Sequence, residues 1–106
     1  MSEDKAAAPT HVLPVVVVGA GAAGLMAAIA AADAGAETWL LEGTQRVGTK
    51  ILMSGGTRCN VTHDFIEAKD YFGGSRHVVA RLLREFSHER AREFFEKTLG
   101  VALKRE

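Results

Sequence analysis

The chain has a single cysteine, which limits the disulfide bonds and metal sites that could stabilise it. Cys59 is the only cysteine among 106 residues, so an internal disulfide framework is excluded and a structural zinc site is disfavoured. The four histidines are scattered without the spacing of metal ligands, and we expect no metal. A lone cysteine suits a reducing compartment, which predicts a cytoplasmic protein.

Net charge is also missing. Thirteen acidic residues balance thirteen basic ones, which gives no reason to expect a nucleic-acid or anionic-membrane partner. Basic residues are abundant in the last third, but glutamates are interleaved with them. This pattern is typical of solvated helical faces.

The sequence predicts neither a membrane span nor a secretory signal peptide. Its longest apolar stretch, 12–32, contains three glycines and ends beside Asp33, so it predicts a strand, a turn and a helix instead of a membrane span. Residues 1–14 contain Glu3 and Asp4 and no apolar core before Val12. We therefore predict a flexible polar leader and not a signal peptide.

A glycine-rich turn follows four consecutive valines. The valine run suits a strand buried on both faces, from about Leu13 or Val15 to Val18. Gly19 would permit a tight turn, Gly21 would let the backbone approach a pyrophosphate, and Gly24 would let the next helix pack closely on the sheet. A pyrophosphate would then lie on the free N–H groups at the helix N-terminus.

The segments after the turn have the order of a dinucleotide-binding unit. An alanine-rich helix is predicted over about 22–34 and a second strand over 37–41, and Glu42 ends that strand. The acid is placed to accept hydrogen bonds from adenosine ribose hydroxyls. The fold class is therefore α/β, with the start of a Rossmann-like βαβ domain.

The chain is rich in glycine, threonine and serine from Glu42 to Asn60, with one turn of helix predicted around 50–53, and its second glycine-rich segment spans 47–62. Its paired glycines, hydroxyls and Arg58 supply backbone donors and a guanidinium that suit phosphate or flavin oxygens. The segment could wrap the far side of the same pyrophosphate, and an ordinary surface loop is the alternative.

The last third predicts two helices and an unfinished sheet. Ser75 and Ser87 are placed as N-caps, and a final strand is expected at 101–103. A parallel sheet needs more strands than these and cover on both faces. We therefore expect the chain to be the N-terminal part of a longer polypeptide, with the rest needed to complete the sheet.

Several of these motifs resemble one bacterial flavoprotein family. They are the turn 19–24, Leu40-Leu41-Glu42, the run 50–56 and the run 58–62, and the likeness extends through 86–87, 94–96 and 100–104. The chain is similar to the start of the BaiN/RdsA-type NAD(P)/FAD-dependent oxidoreductases, within the glutathione-reductase-like FAD superfamily. The resemblance implies that 15–106 is the N-terminal part of an FAD/NAD(P)-binding domain, incomplete here, and that a second domain is absent.

The resemblance also implies a set of cofactor-binding residues. The first turn would hold the FAD pyrophosphate and Glu42 the adenosine ribose, while Lys50 and the second glycine segment would lie along the cofactor. The implied residues are Gly19, Gly21, Ala22, Ala23, Gly24, Glu42, Lys50, Ser54, Gly55, Gly56, Arg58, Cys59 and Asn60. Arg58, Cys59 and Asn60 would lie nearest the middle and the flavin end.

Two positions depart from the family pattern. Thr49 stands where an arginine is usual, which removes a cationic contact, and Thr57 stands where a third glycine is usual. The second change asks a β-branched residue to adopt a backbone conformation that glycine adopts freely. Cys59 has no second cysteine for disulfide-reductase chemistry, so we interpret it as a small side chain packed beside the cofactor.

The leading interpretation is the FAD-binding segment of a flavin-dependent oxidoreductase, inactive by itself, with NAD(P)H as a candidate electron donor. The flavin would transfer hydride to or from an unknown small-molecule substrate, and no catalytic residue is assigned. Two alternatives stay open: an NAD-dependent dehydrogenase domain, and a truncated nucleotide-binding module without turnover. The second glycine segment argues against the dehydrogenase, because a third βα unit would normally follow the acid.

Overall fold

The computed structural model describes residues 12–105, so most of the predicted leader, residues 1–11, and Glu106 lie outside the described residues. The chain divides into two compact units. The first ends at Cys59 and the second begins at Asn60. The first unit contains the two strands and the glycine segments, and the second contains helices and loops.

The first unit is a strand, a helix and a parallel strand. Strand β1 spans Val15–Val18, helix α1 spans Ala22–Asp33 and strand β2 spans Thr38–Leu41. The strands pair in parallel, with Val15 opposite Thr38 and Val18 opposite Leu41. The predicted order is confirmed, and the architecture is α/β with an incomplete Rossmann sheet.

The two faces of this sheet differ in their cover. A β-carbon built on Gly24 of α1 would lie 3.5 Å from Cγ1 of Val17, so the Val17 face packs on the helix. On the other face Val16, Val18 and Trp39 are exposed, Val18 to 81%. Parallel sheets normally have both faces covered, so the exposure of this apolar face is unusual for a parallel sheet.

Helix α1 ends where glycine permits a left-handed residue. Ala34 is the C-cap, and Gly35 follows with φ of +92° while its N–H donates to the Ala32 carbonyl at 2.9 Å. A glycine in this position lets the chain leave the helix without a β-carbon clash. The chain then enters β2 after a short turn.

A short helix and a turn complete the first unit. Helix α2 spans Thr49–Met53, close to the helical turn predicted at 50–53, and a 3₁₀ segment spans Ser54–Thr57. Among the residues that the structure describes, only Ala20 and Gly48 are buried. The small core of this unit therefore lies where the two glycine segments meet.

The second unit contains two helices in the predicted places. A 3₁₀ turn spans Ala68–Asp70, helix α3 spans Arg76–Glu85 and helix α4 spans His88–Glu93, followed by a π-helical turn, Phe94–Thr98. Ser87 caps α4, because its hydroxyl oxygen accepts the Arg90 N–H at 3.1 Å.

Two details of the second unit differ from the sequence prediction. Ser75 is the N-cap residue of α3 but makes no side-chain capping bond. The prediction of a strand at 101–103 was wrong, since residues 101–105 have no regular secondary structure. A strand forms by pairing, and the strands among residues 12–105 are β1 and β2, which pair with each other.

Histidine 88 connects the loop before α3 to the start of α4. Its Nδ1 accepts the Ile66 N–H at 3.3 Å, and its ring meets the Phe65 ring edge-on with 5.5 Å between centroids. Arg105 donates to Asp64 at 3.1 Å on the surface. None of the helices described for residues 12–105 has the length and apolar character needed to cross a membrane.

Candidate functional site

The first glycine turn starts directly after β1. Gly19 has φ of +97°, a left-handed conformation that side chains disfavour. Its N–H donates to the Leu41 carbonyl at 2.7 Å, which extends the parallel ladder by one bond beyond Val18. The tight turn predicted at Gly19 is confirmed, and it places the following residues at the carboxyl end of both strands.

Gly24 is required for close packing of α1 on the turn. A β-carbon at Gly24 would overlap the Gly19 carbonyl oxygen and would lie 2.9 Å from its carbon. Real β-carbons do not approach backbone this closely, so a side chain here would push the helix away from the turn. The packing role predicted for Gly24 is confirmed.

Gly21 lies in a different environment, although it belongs to the same turn. It is the N-cap of α1 in an extended conformation, and a β-carbon built on it would meet nothing within 4 Å. Neither the backbone conformation nor the packing therefore requires glycine there. The open space in front of Gly21 is the room that a pyrophosphate would need next to the backbone.

The N-terminus of α1 offers donors to that space. Leu25 donates to the Gly21 carbonyl at 2.9 Å, which is the first hydrogen bond of the helical pattern. Helix geometry leaves the N–H groups of Ala22, Ala23 and Gly24 without an intrahelical acceptor, and they suit an anion. Together with the space at Gly21, these donors fit the diphosphate of a dinucleotide.

The Glu42 carboxylate connects three parts of the first unit. Its Oε1 accepts the Ala20 N–H at 2.8 Å, and its Oε2 accepts both the N–H and the hydroxyl of Thr44, at 3.0 and 2.7 Å. The acid at the end of β2 thus holds the first turn from one oxygen and the following loop from the other.

These hydrogen bonds also favour the ionised form of the Glu42 side chain. The Thr44 hydroxyl, followed by the Ala20 N–H and the Thr44 N–H, lowers the pKa of the Glu42 carboxyl below its ordinary 4.5. Each donor stabilises the ionised form. At neutral pH the site therefore presents a carboxylate, which accepts hydrogen bonds and repels an additional anion at that end.

The peptide group of Ala20 joins the two glycine segments. Its N–H is bound by Glu42, and its carbonyl accepts the N–H of Gly48 at 2.8 Å. Ala20 is only 1% exposed. Gly48 has φ of +69° and is the N-cap of α2. The start of the second glycine segment is therefore held against the first turn through one buried peptide group.

The second segment then makes a left-handed turn. Gly55, Gly56 and Thr57 follow one another with φ of +58°, +60° and +78°, and the Arg58 N–H donates to the Gly55 carbonyl at 3.0 Å. Thr57 is the single residue other than glycine with positive φ in the part of the chain described. Thr57 therefore adopts the glycine-type backbone conformation that the family pattern implies at this position.

The remaining predicted residues lie along this segment. Lys50 is exposed on α2, and the Ser54 hydroxyl donates to the Ile51 carbonyl at 2.9 Å. Cys59 is an exposed free thiol at the end of the first unit. Asn60 belongs to the second unit. Their roles toward a cofactor stay predictions.

Sequence reasoning missed Ala20 and Thr44. Ala20 is the unremarked residue between two glycines, and its contribution is a backbone peptide group. Thr44 follows the acid by two residues, a spacing at which hydroxyls commonly bond nearby groups. The sequence could therefore have predicted its hydrogen bond to Glu42. Within residues 12–105, no three histidine, cysteine or acidic side chains gather as a metal ion would need.

Comparisons with known proteins agree with this geometry. The family described as "HI0933-like protein Rossmann domain" matches residues 13–106. The chain is 38% identical over 90 residues to a 3-dehydro-bile acid delta(4,6)-reductase of Clostridium scindens, which covers 83% of the chain and 22% of that protein. It is 34% identical over 93 residues to a ribosomal RNA dihydrouridine synthase of Escherichia coli, covering 80% of the chain and 23% of that protein.

A third relative has the same name as the second. It is the ribosomal RNA dihydrouridine synthase of Haemophilus influenzae, 32% identical over 93 residues, with 80% of the chain and 23% of that protein covered. The chain thus spans less than a quarter of the length of these curated relatives.

Proposed function

Because this chain belongs to the family of HI0933-like proteins through its Rossmann domain, we propose that it is the FAD-binding N-terminal segment of a flavin-dependent oxidoreductase. The family membership agrees with the resemblance noted from the sequence motifs. A relative named as a reductase supports the reaction class. The relatives are named for unrelated substrates, a bile acid and ribosomal RNA, so the proposal stops at the cofactor and the type of reaction.

One observation carries this proposal: both glycine segments meet at the Ala20 peptide group, beside the open space at Gly21. A nucleotide diphosphate could lie on the N–H groups at the start of α1, between the two segments. Glu42, ionised and already fixed to the first turn, would accept hydrogen bonds from the adenosine ribose. Lys50 and the turn after α2 would lie along the rest of the cofactor.

When bound, FAD supplies hydride transfer, and the protein supplies binding, orientation and electrostatics. NAD(P)H is a candidate electron donor for the whole protein. We assign no catalytic residue to this segment, and we expect the segment alone to be inactive. The exposed sheet face of Val16, Val18 and Trp39 would be covered by other parts of the whole polypeptide. The single exposed thiol, Cys59, favours a cytoplasmic location.

The test is the visible absorption spectrum of the longest natural reading frame that contains this chain, after incubation with FAD and desalting. We expect flavin bands in the wild type and their loss in Glu42→Ala. Ser75→Ala, which changes a residue outside the proposed site that makes no side-chain capping bond, is the control and should keep the bands. A colourless wild-type protein that binds NAD instead would support the dehydrogenase interpretation, and a folded protein that binds neither would support the module without turnover.

A further inference from the structure

The Glu42 carboxylate is nearly saturated with hydrogen bonds from its own chain. A carboxylate has about four lone-pair positions, two on each oxygen. Thr44 occupies both positions on Oε2, with its N–H at 3.0 Å and its hydroxyl at 2.7 Å, and Ala20 occupies one on Oε1. One position is left, on Oε1. The two hydroxyls of a ribose need two positions.

The Thr44 hydroxyl has a second acceptor within reach. Its Oγ1 lies 2.7 Å from Oε2 of Glu42 and 3.0 Å from the carbonyl oxygen of Arg46. A hydroxyl carries one proton and can donate to one of these acceptors at a time. Rotation about the C–O bond exchanges one hydrogen bond for the other without moving the loop.

We infer that Thr44 is a positioning residue whose hydroxyl occupies the place of a ribose hydroxyl on Glu42 and turns to the Arg46 carbonyl when a ribonucleotide binds. This inference rests on the proposed function. Before binding, the hydroxyl holds the carboxylate in one orientation. After binding, Oε2 accepts one ribose hydroxyl and Oε1 the other, while the Thr44 proton keeps an acceptor.

The exchange has a measurable cost, because a hydrogen bond to a carboxylate is stronger than one to a neutral carbonyl. A ligand with both ribose hydroxyls must drive the exchange, whereas a ligand with one hydroxyl uses the remaining position on Oε1. Thr44→Val keeps the shape of the side chain and the N–H bond to Glu42 but removes the hydroxyl. In this variant a second ribose hydroxyl meets no competitor.

The experiment compares ADP with 2′-deoxy-ADP on the full-length protein and on the Thr44→Val and Thr44→Ser variants, by calorimetric titration. The measured quantity is the factor by which the 2′-hydroxyl tightens binding. We expect this factor to be about threefold larger in Thr44→Val than in the wild type, and unchanged in Thr44→Ser, which retains the hydroxyl.

A merely structural role for Thr44 predicts another pattern, in which Thr44→Val weakens both ligands by the same factor. That result, or a smaller 2′-hydroxyl factor in the valine variant, overturns the inference while leaving FAD binding by the wild type intact. A wild-type protein that binds neither ADP nor FAD overturns the inference and the proposed function together.

Discussion

The two glycine segments of the first unit are held in different ways. The turn 19–24 is fixed by residues distant in the chain, since Leu41 and Glu42 accept its N–H groups. The segment 48–57 meets that turn through Gly48, and its far end is shaped by bonds between near neighbours, from Ser54 to Ile51 and from Arg58 to Gly55. Long-range hydrogen bonds therefore hold the first turn, whereas the second segment takes its shape largely from hydrogen bonds between its own residues.

The largest expected effect is that of Gly24→Ala in the first turn. The added methyl group would overlap the Gly19 carbonyl oxygen, so α1 must move, and we expect a loss of about 2 kcal/mol in the free energy of unfolding. Denaturant titration of the full-length protein measures it. Gly21→Ala is the matched control, because the space there is open, and it should cost only about 0.5 kcal/mol for the poorer N-cap. Equal losses in both variants would contradict the packing role of Gly24.

The next effect is the pH dependence of the Glu42 connection. The folded pKa of Glu42 is lowered, first by the Thr44 hydroxyl and then by the Ala20 N–H. A lowered pKa means that the carboxylate stabilises the fold above the unfolded value, near 4.5, and that this stabilisation is lost as the pH falls through the folded value.

The measurement is the melting temperature of the wild type and of Glu42→Gln from neutral to acidic pH. We expect the wild type to be more stable at neutral pH and the difference to close below about pH 4.5. Glu96→Gln, on the π-helical turn of the second unit, serves as the control without these bonds. A difference between wild type and Glu42→Gln that persists unchanged into acid would show that Glu42 acts through something other than its charge.

A smaller effect of opposite sign is expected in the second segment. Thr57 has φ of +78°, so Thr57→Gly should relieve backbone strain and raise the free energy of unfolding by about 1 kcal/mol or less. Thr57→Val keeps the branched side chain and the strain, and should stay close to the wild type. If glycine at 57 destabilised the protein, the threonine would have a stabilising contact that outweighs its strain.

The smallest effect is expected for Ser54→Ala. The lost bond to the Ile51 carbonyl joins neighbours on an exposed turn, so the cost should be about 0.5 kcal/mol. Ser87→Ala, which removes the N-cap of α4, should cost about 1 kcal/mol in the same denaturant titration. A larger loss for Ser54 than for Ser87 would mean that the second segment is held more firmly than its local bonds indicate.

Local pattern was sufficient to predict much of the first unit. The valine run, the glycines and the alanine-rich helix gave bounds within one residue of Ala22–Asp33 and Thr38–Leu41, and the later of the two predicted starts, Val15, is the observed start of Val15–Val18. These features act through backbone conformation and short-range packing. The positive φ of Thr57 was indicated by the family resemblance alone, because a third glycine is usual at that position.

The features that the sequence did not predict depend on distant or alternative partners. That Ala20 binds both Glu42 and Gly48 requires three segments to meet. The strand expected at 101–103 failed for the same reason, since residues 101–105 have no strand to pair with among the described residues. The π-helical turn Phe94–Thr98 has no signature that hydrophobic periodicity could distinguish from an α-helix.

The most direct test of the account is an FAD titration of the full-length Gly21→Val variant beside the wild type, followed by flavin fluorescence, with the unfolding free energy of both proteins measured in parallel. Gly21 has φ of −84° and open space before it, so valine should leave the fold intact and fill the room proposed for the pyrophosphate. The account predicts that the variant loses about 1 kcal/mol or less of stability, because valine is a poorer N-cap than glycine, and that it has no measurable FAD binding. A stable variant that binds FAD as tightly as the wild type would contradict it.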